Sequence, residues 1–356
     1  MNLEAVKIHP QQAVWEGYRN NLPRYLIGLS RYLQSRTMHT LCDELGYTDL
    51  KINYEPFFTL VGSEGCRLTE LADWLAISKQ SCNRTANQIK KAGYLEDKPD
   101  PSDGRAKILV MTDKGRQMVA KASDVSLKLE SSFKAGLGSR EYTQLLQMIR
   151  RIYDSLDMPK LRVDIPGADH NAGLLVSLLP RVSDHFMQLL MEATRARGHV
   201  GLKMSHGQVL SLIGLSGGRI QQMAKIQDVS KQAISAIAKE LEHLGYIHQS
   251  PDPDDARGVV LMFTDSGVNL LADSVAAVDS VEHQLVAILG QRDLLVLKQI
   301  SKQLYQSLHL EEEVFSPRSS NLSLVVDENL SVLAAKLRRE LGDEAVRTLG
   351  QLLIQT

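Results

Sequence analysis

The sequence predicts a mainly α-helical protein with small β-hairpins, built from one domain that occurs twice in the chain. Residues 67–115 and 219–267 align without a gap at a constant offset of 152 residues, so that Ser78-Lys79-Gln80 recurs as Ser230-Lys231-Gln232. Within each copy, apolar residues at helical spacing precede a short stretch of strand-forming residues around a polar turn. A repeat of this length indicates duplicated domains, because the units of a solenoid are much shorter.

Length and composition limit the class of protein. A chain of 356 residues fits two or three domains. The formal net charge of −1 gives no overall basic signal for nucleic acid, so any such signal must be local. The N-terminal residues lack the apolar core of a signal peptide, and no run is long enough to span a membrane. The three cysteines form neither a disulfide framework nor a zinc ribbon. These features predict a reduced, cytoplasmic protein without a bound metal or cofactor.

The first copy opens with helices. Leucines recur at helical spacing over residues 24–45, behind Pro23 in the first turn and before Gly46, which is placed to end the helix. A short apolar helix is predicted over Glu55–Val61 and a second over residues 68–75, where apolar residues occupy one face.

The next helix is the best defined in both copies. Ser78 is placed to cap it, and Gly93 is placed to end it. Apolar residues fill its inward positions in the second copy, where Ile234 corresponds to Cys82. Cys82 is therefore predicted to be a buried core residue, since an unpaired cysteine behaves as a small hydrophobic group.

A β-hairpin follows this helix. Strand-forming residues at 94–98 and 106–112 flank the turn Pro-Asp-Pro-Ser-Asp-Gly. Thr112-Asp113 then caps a long helix over residues 113–135, and a further amphipathic helix is predicted over residues 139–156.

These elements predict the following domain division. The first domain is residues 1–156, a Pro- and Gly-containing linker is 157–172, and the second domain is 173–309, with its long first helix after Pro180. Residues 310–356 have no counterpart in the first copy and contain two amphipathic helices, which are expected to dock on the paired domains or to join chains in a homo-oligomer.

A helix, a turn, a capped helix and a hairpin make the layout of a winged helix-turn-helix. The capped helix presents its N-terminal turns to the major groove, and the hairpin tip can place an arginine in the minor groove of double-stranded DNA. The candidate DNA-binding residues are Lys79, Gln80, Ser81, Asn83, Arg84, Asn87, Arg105 and Lys107 in the first copy and Lys231, Gln232, Ser235, Lys239 and Arg257 in the second.

The tip of each hairpin repeats an acid and a base two residues apart. Asp103 is expected to pair with Arg105 and fix its direction, and Asp255 is expected to do the same for Arg257. The alternative for any single charged residue is a solvated surface, and that reading is preferred for Lys90, Lys91 and Lys98.

Each copy resembles the MarR family of transcriptional regulators. The resemblance rests on five short segments in chain order: R-L-T-E-L-A, S-K-Q, G-Y, D-P-x-D-x-R and T-D-x-G. The fourth, the wing signature, lies at 100–105 and again at 252–257. The resemblance implies a repressor whose terminal helices interlock in a dimer and which a small, often aromatic, ligand releases from DNA. The ligand pocket is implied to lie between the long helices and the winged units. Two domains in one chain imply an intramolecular pseudo-dimer with recognition helices about 34 Å apart.

The two copies differ in charge. Residues 67–116 contain ten Lys/Arg and seven Asp/Glu, a net charge of +3, whereas residues 219–268 contain five and seven, a net charge of −2. Arg84 is replaced by Ala236 and Lys107 by Val259. Because each phosphate contact adds affinity through counterion release, the first copy is predicted to dominate DNA binding. The second is predicted to read a weaker or different half-site.

Other signals carry less weight. The glycine-rich segment 214–218 resembles a nucleophile loop, but the first copy has no serine at that position and no suitable His/Asp arrangement accompanies it. The histidine pairs lack a helical metal-binding spacing. Cys42 and Cys66 remain candidates for oxidation sensing, with Cys66 favoured. The predicted function is a non-enzymatic, DNA-binding transcriptional regulator. The alternatives are a protein-interaction module whose second domain has lost DNA binding, and an enzyme.

Overall fold

The computed structural model describes residues 10–311 except 76, 157–174, 215–216, 228 and 253–254, and does not describe the side chains of 10–12 and 255–257. The predicted linker and the predicted C-terminal helices lie outside the described residues. The described elements of the first copy are helices α1 Pro10–Arg19, α2 Leu22–His39, α3 Glu55–Val61, α4 Leu68–Trp74 and α5 Lys79–Lys91, strands β1 Leu95–Asp100 and β2 Asp103–Met111, and helices α6 Asp113–Leu137 and α7 Ser139–Ser155.

The second copy repeats this order. Its described elements are helices α8 Leu175–Ala196 and α9 Met204–Leu210, strand β3 Gly218–Arg219, helices α10 Ile220–Ile226 and α11 Lys231–His243, strands β4 Ile247–Asp252 and β5 Asp255–Phe263, and helices α12 Asp265–Leu289 and α13 Gln291–Ser307. From α4 to α7, each element has the same bounds as its counterpart at the 152-residue offset. The predicted fold class, a mainly α-helical chain with two winged helix-turn-helix units, is confirmed.

Side-chain caps fix the starts of the repeated helices. The Ser78 hydroxyl accepts a 3.1 Å hydrogen bond from the Ser81 amide at the start of α5, and Ser230 does the same for the Ala233 amide in α11. Thr112 accepts a 3.0 Å bond from the Gly115 amide at the start of α6. Each cap satisfies an amide that the helix itself cannot pair, so the predicted helix starts hold.

The hairpins are antiparallel and extend further toward the tip than the sequence pattern predicts. Strands β1 and β2 pair from Leu95–Met111 to Asp100–Asp103, which leaves two residues in the turn. In the second copy a short third strand gives the order β3-β5-β4. The first copy has a single bridge, between Cys66 and Leu109, at the equivalent place.

Three apolar cores organise the chain. Each winged unit has its own core, around Leu71 and Ile89 in the first copy and around Ile234 and Leu241 in the second. The third core is shared by both copies and is built from α2, α6, α7, α8, α12 and α13. The long helices of the two copies therefore form one apolar body inside a single polypeptide, which is the geometry of an intramolecular pseudo-dimer.

The N-terminal helix of the first copy reaches across to the second. Helix α1 packs on α12, and the Tyr18 hydroxyl donates a 2.7 Å hydrogen bond to the Leu210 carbonyl at the end of α9. The Arg24 guanidinium donates to the Ser211 carbonyl at 3.2 and 3.3 Å. Both contacts cap the C-terminal carbonyls of α9, which have no partner within that helix.

Helix α8 starts earlier than the sequence pattern predicts. It begins at Leu175, so Pro180 lies inside the helix and not before it. A group from the other copy supplies a cap near the N-terminus of this helix: the Glu130 carboxylate of α6 accepts a 2.8 Å bond from the Val176 amide. No described helix is both long enough and apolar enough to cross a membrane.

Candidate nucleic-acid interface

Helix α5 presents a polar face to solvent. Cys82, Ala86 and Ile89 are buried against the core of the first winged unit. Of the predicted DNA-binding residues on this helix, Ser81 is half-buried and the exposed ones are Lys79, Gln80, Asn83, Arg84 and Asn87. The sequence of α5 contains no Asp or Glu. The exposed face therefore offers hydrogen-bond donors and positive charge with no carboxylate on the helix itself, a composition that suits phosphates and base edges.

The hairpin stands beside this helix. Arg105 and Lys107 are exposed on β2, close to the tip. Lys90 at the end of α5 pairs with Asp97 of β1 at 2.9 Å, which links the helix to the hairpin. Lys90, for which the sequence favours a solvated surface position, is therefore part of an ion pair at the surface.

A buried carboxylate anchors the hairpin to the rest of the winged unit. Asp100, at the end of β1, is buried and accepts a 2.6 Å hydrogen bond from Nε of Arg67, which precedes α4. The Ser102 hydroxyl and amide donate to the other carboxylate oxygen at 2.7 and 2.8 Å. The bonds from Ser102, followed by the bond from Arg67, lower the pKa of Asp100 to about 2. The anchor is therefore ionised throughout the physiological pH range.

The contacts of Asp103 differ from the predicted pairing with the Arg105 side chain. Its carboxylate accepts a 3.2 Å hydrogen bond from the backbone amide of Arg105, and it lies 3.8 Å from the Arg67 guanidinium. Among the described residues, Asp103 makes no ion pair with the Arg105 side chain. Asp103 shapes the turn through the backbone, and the Arg105 guanidinium points to solvent. The expected pairing is wrong because Arg67, distant in sequence, competes for the carboxylate.

The second copy repeats the anchor. Arg219 donates to Asp252 through its NH2 group at 3.0 Å, and Asp252 is buried like Asp100. Sequence reasoning missed both pairs, although a signal was present: the arginine and the aspartate recur together at the 152-residue offset. The side chains of Asp255 and Arg257 lie outside the described residues, and only the position of their backbone in β5 is known.

Helix α11, the counterpart of α5 in the second copy, has a different surface. Lys231, Gln232 and Lys239 are exposed, like the residues at the equivalent positions of the first copy, whereas Ser235 is half-buried and its counterpart Asn83 is exposed. Glu240 stands where the first copy has Gln88, and its carboxylate binds Lys203 at 2.6 Å and the buried His206 at 2.9 Å. The hydrogen bonds from Lys203 and His206 lower the pKa of Glu240. This face therefore carries a carboxylate, paired with Lys203, where the first copy has an uncharged amide.

The cysteines and histidines form no further site within the described chain. Cys82 lies in the core as predicted, and burial raises the pKa of its thiol. Cys66 is also buried, which removes the exposure that a sensor thiol needs, and Cys42 is half-buried. His199 contacts the Tyr246 hydroxyl at 2.8 Å and Asp273 at 2.9 Å. Among the described residues, no group of three or more His, Cys, Asp or Glu is placed to hold a metal ion.

Two cavities lie between the long helices and the winged units. The larger, of about 390 Å³, is enclosed by α2 of the first copy and by α8, α9 and α12 of the second. The smaller, of about 150 Å³, is enclosed by α2, α3 and α6 of the first copy and by the start of α8. Both cavities lie in the region where the resemblance implies a ligand pocket, and sequence alone could not assign residues to it.

Comparisons with known proteins match both copies. The MarR family model matches residues 57–106 and 200–258. HTH-type transcriptional regulator BilQ of Clostridioides difficile (strain CD3) is 25% identical over 92 residues, which are 26% of this chain and 62% of that protein. The match thus spans less than two thirds of that relative.

Solved structures are also similar. A MarR-family transcriptional regulator from Rhodococcus sp. RHA1 is 23% identical, with 36% of this chain and 89% of that chain covered and a TM-score of 0.31. A mutant of MepR from S. aureus bound to an oligodeoxyribonucleotide is 22% identical, with 37% and 96% covered and a TM-score of 0.26. The two segments that match the family model fall one in each copy, and the chain therefore carries two MarR-family domains in tandem.

Proposed function

We propose that this chain is a sequence-specific transcriptional regulator that reads two half-sites of double-stranded DNA with α5 and α11. The observation that supports this most is the exposed, carboxylate-free donor face of α5 beside a hairpin that a buried aspartate anchors. The relative BilQ is a transcriptional regulator by name, and the MepR structure contains an oligodeoxyribonucleotide. Within the proposal, the thirteen residues predicted to contact DNA keep that role, and the chain divides at 156, 172 and 309.

The proposal gives the two copies unequal parts. Exposed Lys79, Arg84, Arg105 and Lys107 are four of the ten cationic residues of the first unit. In the second unit, Glu240 places a carboxylate on α11, about two and a half turns from Lys231. Electrostatic attraction to phosphate supplies much of the affinity of such proteins, so the first copy is expected to anchor the complex. The second copy then reads a weaker half-site, and the operator is not a true palindrome.

The regulator is proposed to be a non-enzymatic repressor that a small ligand releases from DNA. The cavities between the long helices and the winged units support this part of the proposal. A ligand there would touch the shared core and one winged unit at once, and could shift the position of that unit. A ligand acts in this way only if it binds the two positions with different affinity.

The experiment that tests DNA binding is a salt titration. Binding of the full chain to its own upstream DNA is measured over a range of salt concentrations, beside a duplex of scrambled sequence. A slope of about 0.9 in log affinity per phosphate contact is expected, with tighter binding to the upstream DNA. The variants Arg105→Ala and Arg257→Ala compare the two wings, and Arg105→Ala is expected to weaken binding more. Equal losses would contradict the unequal parts proposed here.

A protein-interaction role is the second candidate for the second copy. The fixed Glu240 carboxylate and the net charge of −2 over residues 219–268 favour it. The test is the DNA affinity of the full chain at low salt. If neither Arg257→Ala nor Lys231→Ala changes that affinity, the second copy does not contact DNA, and a protein-interaction role replaces half-site reading for that copy.

A further inference from the structure

A buried histidine ties helix α9 to helix α11, the helix that the proposed function assigns to the second half-site. His206 lies on α9 and is only 1% exposed. Its Nε2 lies 2.9 Å from Oε2 of Glu240 on α11, and its Nδ1 lies 3.2 Å from the backbone nitrogen of Lys203, just before α9. The ring therefore joins the start of α9 to the C-terminal half of α11.

These contacts define the protonation state that the arrangement needs. A backbone amide can only donate, so Nδ1 of His206 is the accepting, unprotonated nitrogen, and Nε2 carries the proton that is donated to Glu240. The ring is thus neutral, and both of its nitrogens are used. A second proton would make Nδ1 a donor that faces another donor, the Lys203 amide, and that hydrogen bond would be lost.

The charged groups that face the His206 ring act in opposite directions. Glu240 would attract an imidazolium, and the hydrogen bonds from Lys203 and His206 lower the pKa of its carboxyl, so that it stays ionised in mild acid. The Lys203 ammonium lies 2.6 Å from the same oxygen and would repel an imidazolium. The carboxylate therefore compensates the added charge, whereas the bond at Nδ1 is lost in either case.

The first copy makes the same tie with a phenol and an amide. At the 152-residue offset, Tyr54 replaces His206 and Gln88 replaces Glu240, and the Tyr54 hydroxyl donates a 3.3 Å hydrogen bond to the Gln88 side chain. A histidine ordinarily changes charge between about pH 5 and 8, whereas a phenol ordinarily ionises at about pH 10 and an amide does not ionise. A response of this tie to mild acid is therefore expected in the second copy and not in the first.

The histidine at position 199 differs from His206, because its contacts survive protonation. Nε2 of His199 lies 2.9 Å from Asp273 of α12, and Nδ1 lies 2.8 Å from the hydroxyl of Tyr246, which precedes β4. A hydroxyl can accept as well as donate, so a protonated ring keeps both bonds once the hydroxyl hydrogen has turned away. Protonation of His199 therefore leaves the base of the second hairpin in place.

We propose that His206 and Glu240 are positioning residues of the second copy, and that protonation of His206 in mild acid loosens α11 from α9 and weakens reading of the second half-site. The effect on DNA rests on the proposed function. The effect on the packing of α11 does not, because it concerns the protein without DNA. The first copy keeps its position over the same pH range, so acid leaves the chain anchored at one half-site.

Hydrogen exchange of the full chain without DNA tests the packing. Exchange at pH 6 and pH 8 is corrected for the intrinsic rate at each pH, and the protection of residues 203–212 and 231–243 is compared with that of residues 51–60 and 79–91. The second-copy segments are expected to lose about fivefold protection at pH 6, which is the value of one net hydrogen bond. The first-copy segments should keep theirs. Equal protection of the second-copy segments at the two pH values would overturn the proposal.

Variants that copy the first half identify the group responsible. The double variant His206→Tyr/Glu240→Gln reproduces a pair that the first winged unit accommodates, and it should be equally protected at both pH values. Glu240→Gln alone changes a side chain that is 48% exposed, so it tests the proposal even if the double variant does not fold. Without that carboxylate, the loss of protection moves to lower pH. His283→Gln, at an exposed histidine of α12, is the matched control and keeps the wild-type response. A pH response that survives the double substitution would contradict the proposal.

The same variants are then compared on the upstream duplex. From pH 8 to pH 6, wild type is expected to lose about fivefold more affinity than the double variant. Tighter binding of wild type at pH 6 would show that the charge of the imidazolium outweighs the lost tie, and would overturn the effect on DNA. If exchange responds to pH but no duplex binds at either pH, the proposed function fails and the loosening of α11 stands. If DNA binds with no response to pH in either measurement, the proposed function stands and this inference fails.

Discussion

The Glu130 carboxylate of the first copy accepts a 2.8 Å hydrogen bond from the backbone amide of Val176, in the first turn of the second copy's long helix. Glu130 is only 6% exposed. Its second oxygen, Oε2, has no hydrogen-bond partner among the described residues. Burial raises the pKa of Glu130 to about 7, although the amides of Val176 and Leu175 oppose the shift. The junction between the copies therefore contains a carboxyl group that titrates near neutral pH.

Glu130 is expected to make stability depend on pH. The folded state binds this proton more tightly than the unfolded chain, so the stabilising contribution is complete below about pH 4.5 and is lost as pH rises through 7. The loss is about 3 kcal/mol in the free energy of unfolding. Urea denaturation between pH 5 and pH 8 should therefore show wild type losing stability relative to Glu130→Gln as pH rises.

The control for this prediction is Glu282→Gln. Glu282 occupies the equivalent position in the second copy and binds Lys298 at 2.9 Å, so its carboxylate has a cationic partner. This variant should lower stability without removing the pH dependence that Glu130 causes. Parallel pH profiles for wild type and Glu130→Gln would show that the junction does not titrate as described.

Exchanging one residue between the recognition helices should shift DNA affinity in opposite directions. Arg84→Ala removes one cation from the exposed face of α5, and Ala236→Arg adds one at the equivalent place on α11. The first should lower the salt dependence of binding by about one unit of slope, and the second should raise it by about the same amount. Fluorescence anisotropy on the upstream duplex measures both. Unchanged slopes for both variants would remove these helices from the interface.

Neutralising the anchor of the first wing should weaken DNA binding without unfolding the protein. Asp100→Asn loses the charge-assisted bond with Arg67, so the hairpin and Arg105 lose their fixed position. Asp252→Asn does the same in the second copy and is expected to have a smaller effect. Because the pKa of Asp100 is about 2, its loss should cost the same affinity at pH 6 and pH 8. Circular dichroism should match wild type for both variants.

The three thiols should react at different rates with an aromatic disulfide reagent. Cys66 and Cys82 are buried, at 3% and 0% exposure, whereas Cys42 is half-buried. One thiol per chain should therefore react in the native state, and Cys42→Ser should abolish that reaction. The other two should react only in denaturant. Rapid reaction of Cys66 in the native protein would restore it as a candidate sensor.

The local elements could be predicted from sequence because their signals are local. The Ser78 cap, the Gly93 stop and the Thr112 cap lie within a few residues of the helices that they define. The repeat supports each of these predictions a second time, because a capping residue is found at the same offset in the other copy. The hairpin is predicted for the same reason, although its strands extend two and three residues closer to the tip than expected.

Contacts between residues that are far apart in the sequence could not be predicted from such local signals. Pro180 indicated a helix start, but Glu130 of the other copy caps α8 five residues earlier, at Leu175. Asp103 was assigned to Arg105, two residues away, whereas the buried anchor joins Arg67 to Asp100, 33 residues apart. The lining of the larger cavity combines residues from 18 to 310, and no spacing in the sequence brings them together.

The core that both copies share also determines how the protein responds to dilution. Two separate subunits must meet before they can bind two half-sites, so their occupancy of DNA falls steeply at low concentration. Here the helices that form the shared core belong to one polypeptide, and their pairing is an intramolecular step. A cell holding only a few copies of this chain would still have each of them assembled, and occupancy would follow the number of chains in direct proportion.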